Sequence, residues 1–283
     1  MTQGKYIDWT TNKDTDDIIH SYLSGISATK ISKQFGYCWD SICLMLKRKG
    51  LWKGKQDYLR KYTFNFDFFE NIDTEEKAYW LGFIAADGCV QGNNLTIGIQ
   101  EKDEILLQTF NKHIGSNYPI KKTIPTEKHP FIKSYLRITH PKTIKDLKKY
   151  NIVPKKTYGL RFSNNISETL HQHFLRGLFD GDGSWVIYKG RVKFSICGGD
   201  ELFLQDIQNL LITHVGLHKT KICKQNKKEK SGKISCSYDL SYCGNRQIVR
   251  IYNFFYNNAT VFLERKKSKI ASIVEKYNTV LLE

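Results

Sequence analysis

The sequence predicts an α+β chain of two pseudo-symmetric halves behind a small all-α N-terminal unit. Three observations predict it. A ten-residue stretch occurs twice, as Tyr79-Trp80-Leu81-Gly82-Phe83-Ile84-Ala85-Ala86-Asp87-Gly88 and as Phe174-Leu175-Arg176-Gly177-Leu178-Phe179-Asp180-Gly181-Asp182-Gly183. After each copy, segments of strand and helix periodicity follow in the same order, at offsets that grow slowly: 95 residues from Asp87 to Asp182, 97 from Gln108 to Gln205, 104 from Leu136 to Leu240. A duplicated unit with loop insertions produces that drift. Before the first copy, residues 15–50 show only helical spacing.

Each copy of the stretch reads as a short helix with small residues one turn apart, at Gly82/Ala86 and Gly177/Gly181. Two such bare stripes allow two helices to pack backbone to backbone, with Gly82 and Gly177 in the interface. Gly88 and Gly183 stand where left-handed helix stops are expected. The acids Asp87 and Asp182 then fall on the last turns and meet when the helices pair. A helix C-terminus is an unfavourable place for a carboxylate, and a second carboxylate makes it worse. A divalent cation resolves both problems, so the pair implies its own metal.

The remaining composition bounds the partners. The 283 residues, 40% hydrophobic and 13% aromatic, suffice for two or three domains with cores. The formal net charge of +16 is spread along the chain and favours an extended polyanionic partner. No apolar run reaches membrane-spanning length, and the polar start is no signal peptide, so the chain is expected to be soluble and intracellular, with no membrane partner. Seven cysteines without a C-x-x-C pair fit a reduced compartment.

Taken in order, residues 1–52 form the first unit. Helices are expected over Asp16–Leu23, from a Ser27 cap with Ala28, Ile31 and Phe35 inward, and over Trp39–Lys49 with Ile42 and Leu46 inward. The Gly36 turn and the basic end Lys47-Arg48-Lys49 resemble a helix-turn-helix DNA-binding module. Residues 53–66 read as a linker. The first half, 67–168, continues past the motif with a strand at Leu95, Ile97 and Ile99. A helix follows with Ile105, Leu106 and Phe110 inward, then strand material at 135–138 and a helix from Pro141 to Tyr150. The second half, 169–283, repeats this. Val192, Phe194 and Ile196 alternate, Asp200 starts a helix with Leu202, Ile207, Leu210 and Leu211 inward, and residues 234–242 alternate again. A helix runs from Gln247 to Tyr256, and the extra length falls in a lysine-rich loop at 224–233.

Through these two motifs the chain resembles the LAGLIDADG homing endonucleases in their single-chain, two-motif form, over roughly residues 62–280. Ala85 stands where the motif name has its first Asp, a position that does not hold metal. The resemblance implies two αββαββα subdomains whose saddle-shaped antiparallel sheets lie along the major groove of double-stranded DNA. It further implies a monomer and Mg²⁺, with Mn²⁺ substituting, at Asp87 and Asp182. The carbonyls of Ala86 and Gly181 are available to the metal, and intron homing is the biological setting. A basic residue near each scissile phosphate maps to Lys156 and to Lys267, or to Lys266 one place earlier. Alternation puts Thr96, Gln100, Arg137, Arg191, Lys193, Ser235, Ser237, Asp239 and Ser241 on the saddle faces, as polar contacts to bases and phosphates.

Other chemistries rank lower. Asp180-Gly181-Asp182-Gly183 lacks the Gly and Glu that a calcium loop needs at its sixth and twelfth positions. The pairs His171/His173 and His214/His218 have no cysteine at ligand spacing to make a zinc site. Phosphate-loop and dinucleotide fingerprints are absent from the sequence. A Met start and a Leu281-Leu282-Glu283 end disfavour an intein, and the chain is read as free-standing. Two rivals remain: a non-cleaving DNA-binding transcriptional regulator of the same fold, and an RNA maturase acting on an intron. Retention of both Asp87 and Asp182 argues against the first, and the helix-turn-helix unit against the second.

Overall fold

The computed structural model describes residues 7–52, 62–127, 130–228 and 234–282. Residues 53–61 of the expected linker and 229–233 of the lysine-rich loop lie outside the described residues. The chain divides into two compact units, 1–63 and 64–283.

The first unit is built on three short amphipathic helices, α1 (Thr15–Leu23), α2 (Ala28–Phe35) and α3 (Trp39–Arg48). The Ser27 hydroxyl accepts the Lys30 N–H at 3.3 Å to start α2, and Gly36 ends it at φ 77°. Ile18, Tyr22, Ile31, Ile42 and Leu46 form its core, and Trp52 stacks on Tyr22.

The second unit contains both motif helices, α4 (Glu75–Asp87) and α7 (His171–Asp182). Thr74 caps α4, and Glu75 and Glu76 complement its N-terminal dipole. After α4 come strands β1 (Gly88–Gln91), β2 (Asn94–Gln100), β3 (Lys121–Lys122) and β4 (Lys133–Thr139), with helices α5 (Glu104–His113) and α6 (Pro141–Lys149). After α7 come β5 (Gly183–Tyr188), β6 (Arg191–Gly198), β7 (Cys223–Lys228) and β8 (Ile234–Cys243), with α8 (Glu201–Val215), α9 (Asn245–Tyr256) and α10 (Glu264–Leu282). Both sheets are antiparallel, ordered β1-β2-β4-β3 and β5-β6-β8-β7. Their registers correspond, Ile97 facing Leu136 and Ile196 facing Leu240. The two halves are one topology used twice.

Each sheet buries one face. Leu95, Ile97, Ile99, Leu136 and Ile138 point inward in the first, and Val192, Phe194, Ile196, Leu240 and Tyr242 in the second. The opposite faces carry mainly polar side chains, with Val186 and Tyr188 of β5 exposed among them.

Several expectations are corrected. Gly88 and Gly183 are not left-handed stops; they are extended (φ −75° and −84°) and open β1 and β5. Close approach, not a positive φ, requires glycine there. A Cβ on Gly88 would stand 2.6 Å from the Ile84 carbonyl oxygen, and one on Gly183 2.1 Å from the Phe179 ring. Residues 224–228 belong to strand β7 rather than to a loop. An edge strand with polar residues on both faces carries no alternation to detect. Ile105 and Leu202, which helical spacing places inward, are 65% and 50% exposed. Each sits in the first turn of its helix, and Leu107 and Leu204 take the inward positions instead.

Candidate active site

Helices α4 and α7 pack through their bare stripes. A Cβ on Gly82 would lie 2.0 Å from the Phe174 carbonyl oxygen, and one on Gly177 1.9 Å from that of Tyr79. The stripe continues to Gly181, whose Cβ would meet that of Ala86 at 2.3 Å. Contacts therefore advance in the same direction along both helices, which run parallel and end together. Asp87 Oδ2 lies 3.5 Å from where a Gly181 Cβ would stand. The structure thus brings Asp87 and Asp182 to one place, each on the last turn of its helix.

Two like charges at two like-oriented helix ends need compensation, and two lysines supply it. Lys156 Nζ donates to the Ala86 carbonyl at 3.0 Å. Lys266, buried to 5% exposure, reaches the carbonyls of Phe179 (2.7 Å), Asp180 (2.8 Å), Gly181 (3.2 Å) and Gly183 (2.6 Å). Both ammonium groups occupy acceptors that a helix C-terminus otherwise leaves orphaned. Of the two second-half candidates, Lys266 is therefore the one at the acids. The Lys267 ammonium lies 4.0 Å from the Phe262 ring centroid instead.

The electrostatics are finely opposed. Partial burial pushes the Asp182 carboxyl up to about 6, Asp87 adds to the rise, and Lys156 and Lys266 oppose it. Burial also raises Asp87, against the pull of Lys266, Lys156, Lys133 and Arg265. Burial brings Lys266 down to about 8, with Asp180, Asp87 and Asp182 working in the other direction. Both acids retain solvent exposure and both open on a cavity. That of Asp182, about 320 Å³, is walled by Lys156 and Thr157 of the first half and by Cys197 and Ser237 of the second sheet. That of Asp87, about 250 Å³, is walled by Gly98, Gln100 and Lys133 of the first sheet and by Leu263 and Arg265 of the second half. Each acid's cavity is completed by the closing segment of the opposite half.

A buried network holds these parts in place. Asp180, one residue before the small stripe position, accepts from the Tyr79 hydroxyl (2.9 Å) and the Leu263 N–H (2.7 Å). This joins α4, α7 and the segment carrying Lys266. Arg176, wholly buried, donates to the Val261 and Phe255 carbonyls and pairs with Glu75 at 2.5 Å. Ala85 has no such polar group, so only the second half has this anchor.

The predicted saddle residues lie on the polar sheet faces, with differences among them. Gln100 and Arg191 are exposed, and Lys193, Ser235, Ser237 and Ser241 half-buried. Arg137 donates to Thr96 Oγ1 across the ladder at 3.1 Å. Asp239 departs from the expectation of an open contact: it is 5% exposed and gathers Ser195, Lys193 (3.4 Å) and Cys197 (3.5 Å). Its carboxylate contacts lie within the sheet face. Lys47, Arg48 and Lys49 are exposed at the C-terminal end of α3, in the other unit. His171 Nδ1 and His214 Nε2 lie 3.0 Å apart, His173 Nδ1 lies 3.1 Å from the Arg176 guanidinium, and the His218 ring packs edge-on against Tyr242. Among the described residues no three His, Cys, Asp or Glu side chains gather as a metal cluster, and no helix is long and apolar enough to cross a membrane. Sequence reasoning missed Lys133 and Arg265. Lys133 shares the alternation of Arg137, and Arg265 adjoins Lys266, but neither carries a motif.

Residues 169–253 match the family model of the LAGLIDADG-like domain. No curated protein matches the sequence. Among solved structures the chain is similar to the N-terminal LAGLIDADG domain of DUF199/WhiA (16% identity, covering 68% of this chain and 89% of that one, TM-score 0.42). It is similar also to the meganuclease I-SmaMI bound to uncleavable DNA (18%, 71% and 92%, 0.44). A third is the homing endonuclease I-WcaI bound to its DNA recognition sequence (13%, 78% and 97%, 0.46). The match lies in the second half of the chain, and the first half repeats its element order and strand topology.

Proposed function

We propose that this chain, two LAGLIDADG-like subdomains on one polypeptide, is a site-specific endonuclease. It hydrolyses both strands of a long double-stranded DNA target with Mg²⁺, one motif acid serving each strand. One observation carries the reading: two glycine-packed parallel helices deliver Asp87 and Asp182 side by side, each opening on its own cavity beneath a polar sheet face.

The donor set fits the metal. Asp87 and Asp182 offer hard carboxylate oxygens, and the Ala86 and Gly181 carbonyls keep a second lone pair beside their lysine bonds. Mg²⁺ takes one or two carboxylates and fills its shell with water and substrate phosphate, so two acids without a third ligand suit it. When bound, the cation neutralises the scissile phosphate and makes a coordinated water more acidic. The chain's own residues do the rest. Lys156 and Lys266 offset the two helix ends and fix the acids' approach. Thr96, Gln100, Arg137, Arg191, Lys193, Ser235, Ser237 and Ser241 meet bases and phosphates from the sheets, where the major groove distinguishes all four base pairs. The 1–52 unit adds phosphate contacts through Lys47, Arg48 and Lys49 and lengthens the footprint. The protein works as a monomer, its two subdomains supplying the two-fold arrangement.

A second reading, a non-cleaving DNA-binding regulator, is favoured by one observation: the Lys266 ammonium is enclosed by four carbonyls rather than open to phosphate. Selection from a randomised duplex pool separates the two. The endonuclease reading expects duplexes cut at one discrete position with Mg²⁺ and intact with a chelator. Tight, sequence-selective binding without cutting in Mg²⁺ or Mn²⁺ establishes the regulator instead.

A further inference from the structure

The two cavities are not equivalent, although the halves around them are. Lys266 and Lys156 occupy matching places at the helix ends, so Arg265 matches Lys155. Leu136 and Leu240 take the same register, so Lys133 matches Ser237. The Asp87 cavity is thus lined by Arg265 and Lys133 where the Asp182 cavity has neither a counterpart of Arg265 nor a charge at Ser237. Lys155 is exposed at φ 58° and does not line the Asp182 cavity.

Arg265 is also aimed. Its Nε donates to both oxygens of Asp103 (3.0 and 2.7 Å), whose side chain is 7% exposed. The guanidinium's terminal amino groups have no partner among the described residues. An arginine held by its Nε and open at its two ends has the fork geometry that receives a phosphate's two oxygens. The matching acid, Asp200, is used differently: it caps α8 and accepts the Gly159 N–H at 2.8 Å. Lys133 Nζ likewise has no ion-pair partner among the described residues. Lys156, the cation that lines the Asp182 cavity, already donates to Ala86.

We infer that the half-sites are functionally unequal: Arg265 and Lys133 form a phosphate clamp at Asp87, and the strand seated there is cut first. The inference rests on the endonuclease reading. In each half-reaction water oxygen bonds to phosphorus, one P–O ester bond breaks, and the leaving oxygen takes the proton released by water. No other reactant is needed. The clamp stabilises the charge that grows on the phosphoryl oxygens, and the guanidinium that Asp103 holds does so with little reorganisation.

The test follows the two strands separately, on a supercoiled plasmid carrying a duplex that the wild-type protein has selected by binding. The wild-type protein should accumulate a nicked circle broken in a single strand before linear product appears. Lys133→Ala, an exposed position, and Arg265→Lys, which keeps a cation for Asp103, should each slow that nick by about tenfold or more. The other strand should stay within about twofold, so that the order of cutting equalises or reverses. A purely structural role would slow both strands together. Wild-type protein nicking either strand first with equal frequency overturns the inference and leaves the endonuclease reading intact. So do variants that slow both strands alike. A wild-type protein that binds and nicks neither strand overturns both.

Discussion

Asp182 is held in a position where burial and Asp87 together raise its carboxyl to about 6. The folded chain therefore keeps this proton longer than the unfolded chain, whose carboxyl titrates near 3.8. Between about pH 4 and pH 6 the folded state binds more protons, so stability falls as pH rises through that window. Asp182→Asn removes the charge that causes the loss. We expect the variant to melt higher than wild type at pH 7–8, by on the order of 1 kcal/mol after allowance for solvent screening, and equally at pH 4. Thermal melts at both pH values check it; a difference independent of pH would contradict the origin given. The motif glycines allow a sharper expectation. Gly82→Ala or Gly177→Ala drives a methyl into the carbonyl of the facing helix, and should cost more than about 3 kcal/mol or prevent folding. A denaturation midpoint within error of wild type would mean the helices do not meet there. These residues were legible in the sequence because chemistry of this kind needs small residues one turn apart and an acid at the end. Lys266 was legible only to within one position, since the offset between the halves drifts with each insertion. Arg265 and Lys133 were not legible, because the cavity that gathers them is assembled from both halves.

At the scale of elements, the central strands were readable from alternation because one face is buried and the other polar. Strands β1, β3, β5 and β7 were not. β1 and β3 are too short to show a period, β5 exposes apolar Val186, Ile187 and Tyr188, and β7 is polar throughout. The sequence also misjudged Ile105 and Leu202, since helical spacing alone does not say where an apolar stripe begins. In the first unit the basic residues sit at the C-terminal end of α3, where they also complement the helix dipole. That location suits phosphate contact better than base reading, which falls to the N-terminal part of a recognition helix. Replacing Lys47, Arg48 and Lys49 by alanine should weaken binding to all sequences alike. The slope of log affinity against log salt should shrink by about 0.9 for each phosphate that the unit no longer neutralises. An unchanged slope would make the unit a cap without a part in binding.

At the scale of the molecule, a duplicated αββαββα unit sets two acids at a common point and spreads two polar faces on either side of it. The pseudo-symmetry is incomplete. Asp180 anchors one half where Ala85 leaves the other without a polar tie, and Arg265 and Lys133 load one cavity more heavily than the other. Net charge of +16 spread over the chain is what a long polyanion requires. In the proposed endonuclease Asp87 and Asp182, joined by the helix pair, each serve one strand. Linearisation of a plasmid bearing the selected target tests it most directly, with Mg²⁺ and with wild type, Asp87→Asn and Asp182→Asn side by side and binding measured on the same preparations. Wild-type protein should yield linear DNA, and each single variant should bind with undiminished affinity and yield none. Linear product from either variant at the wild-type rate would mean that these acids do not each serve one strand.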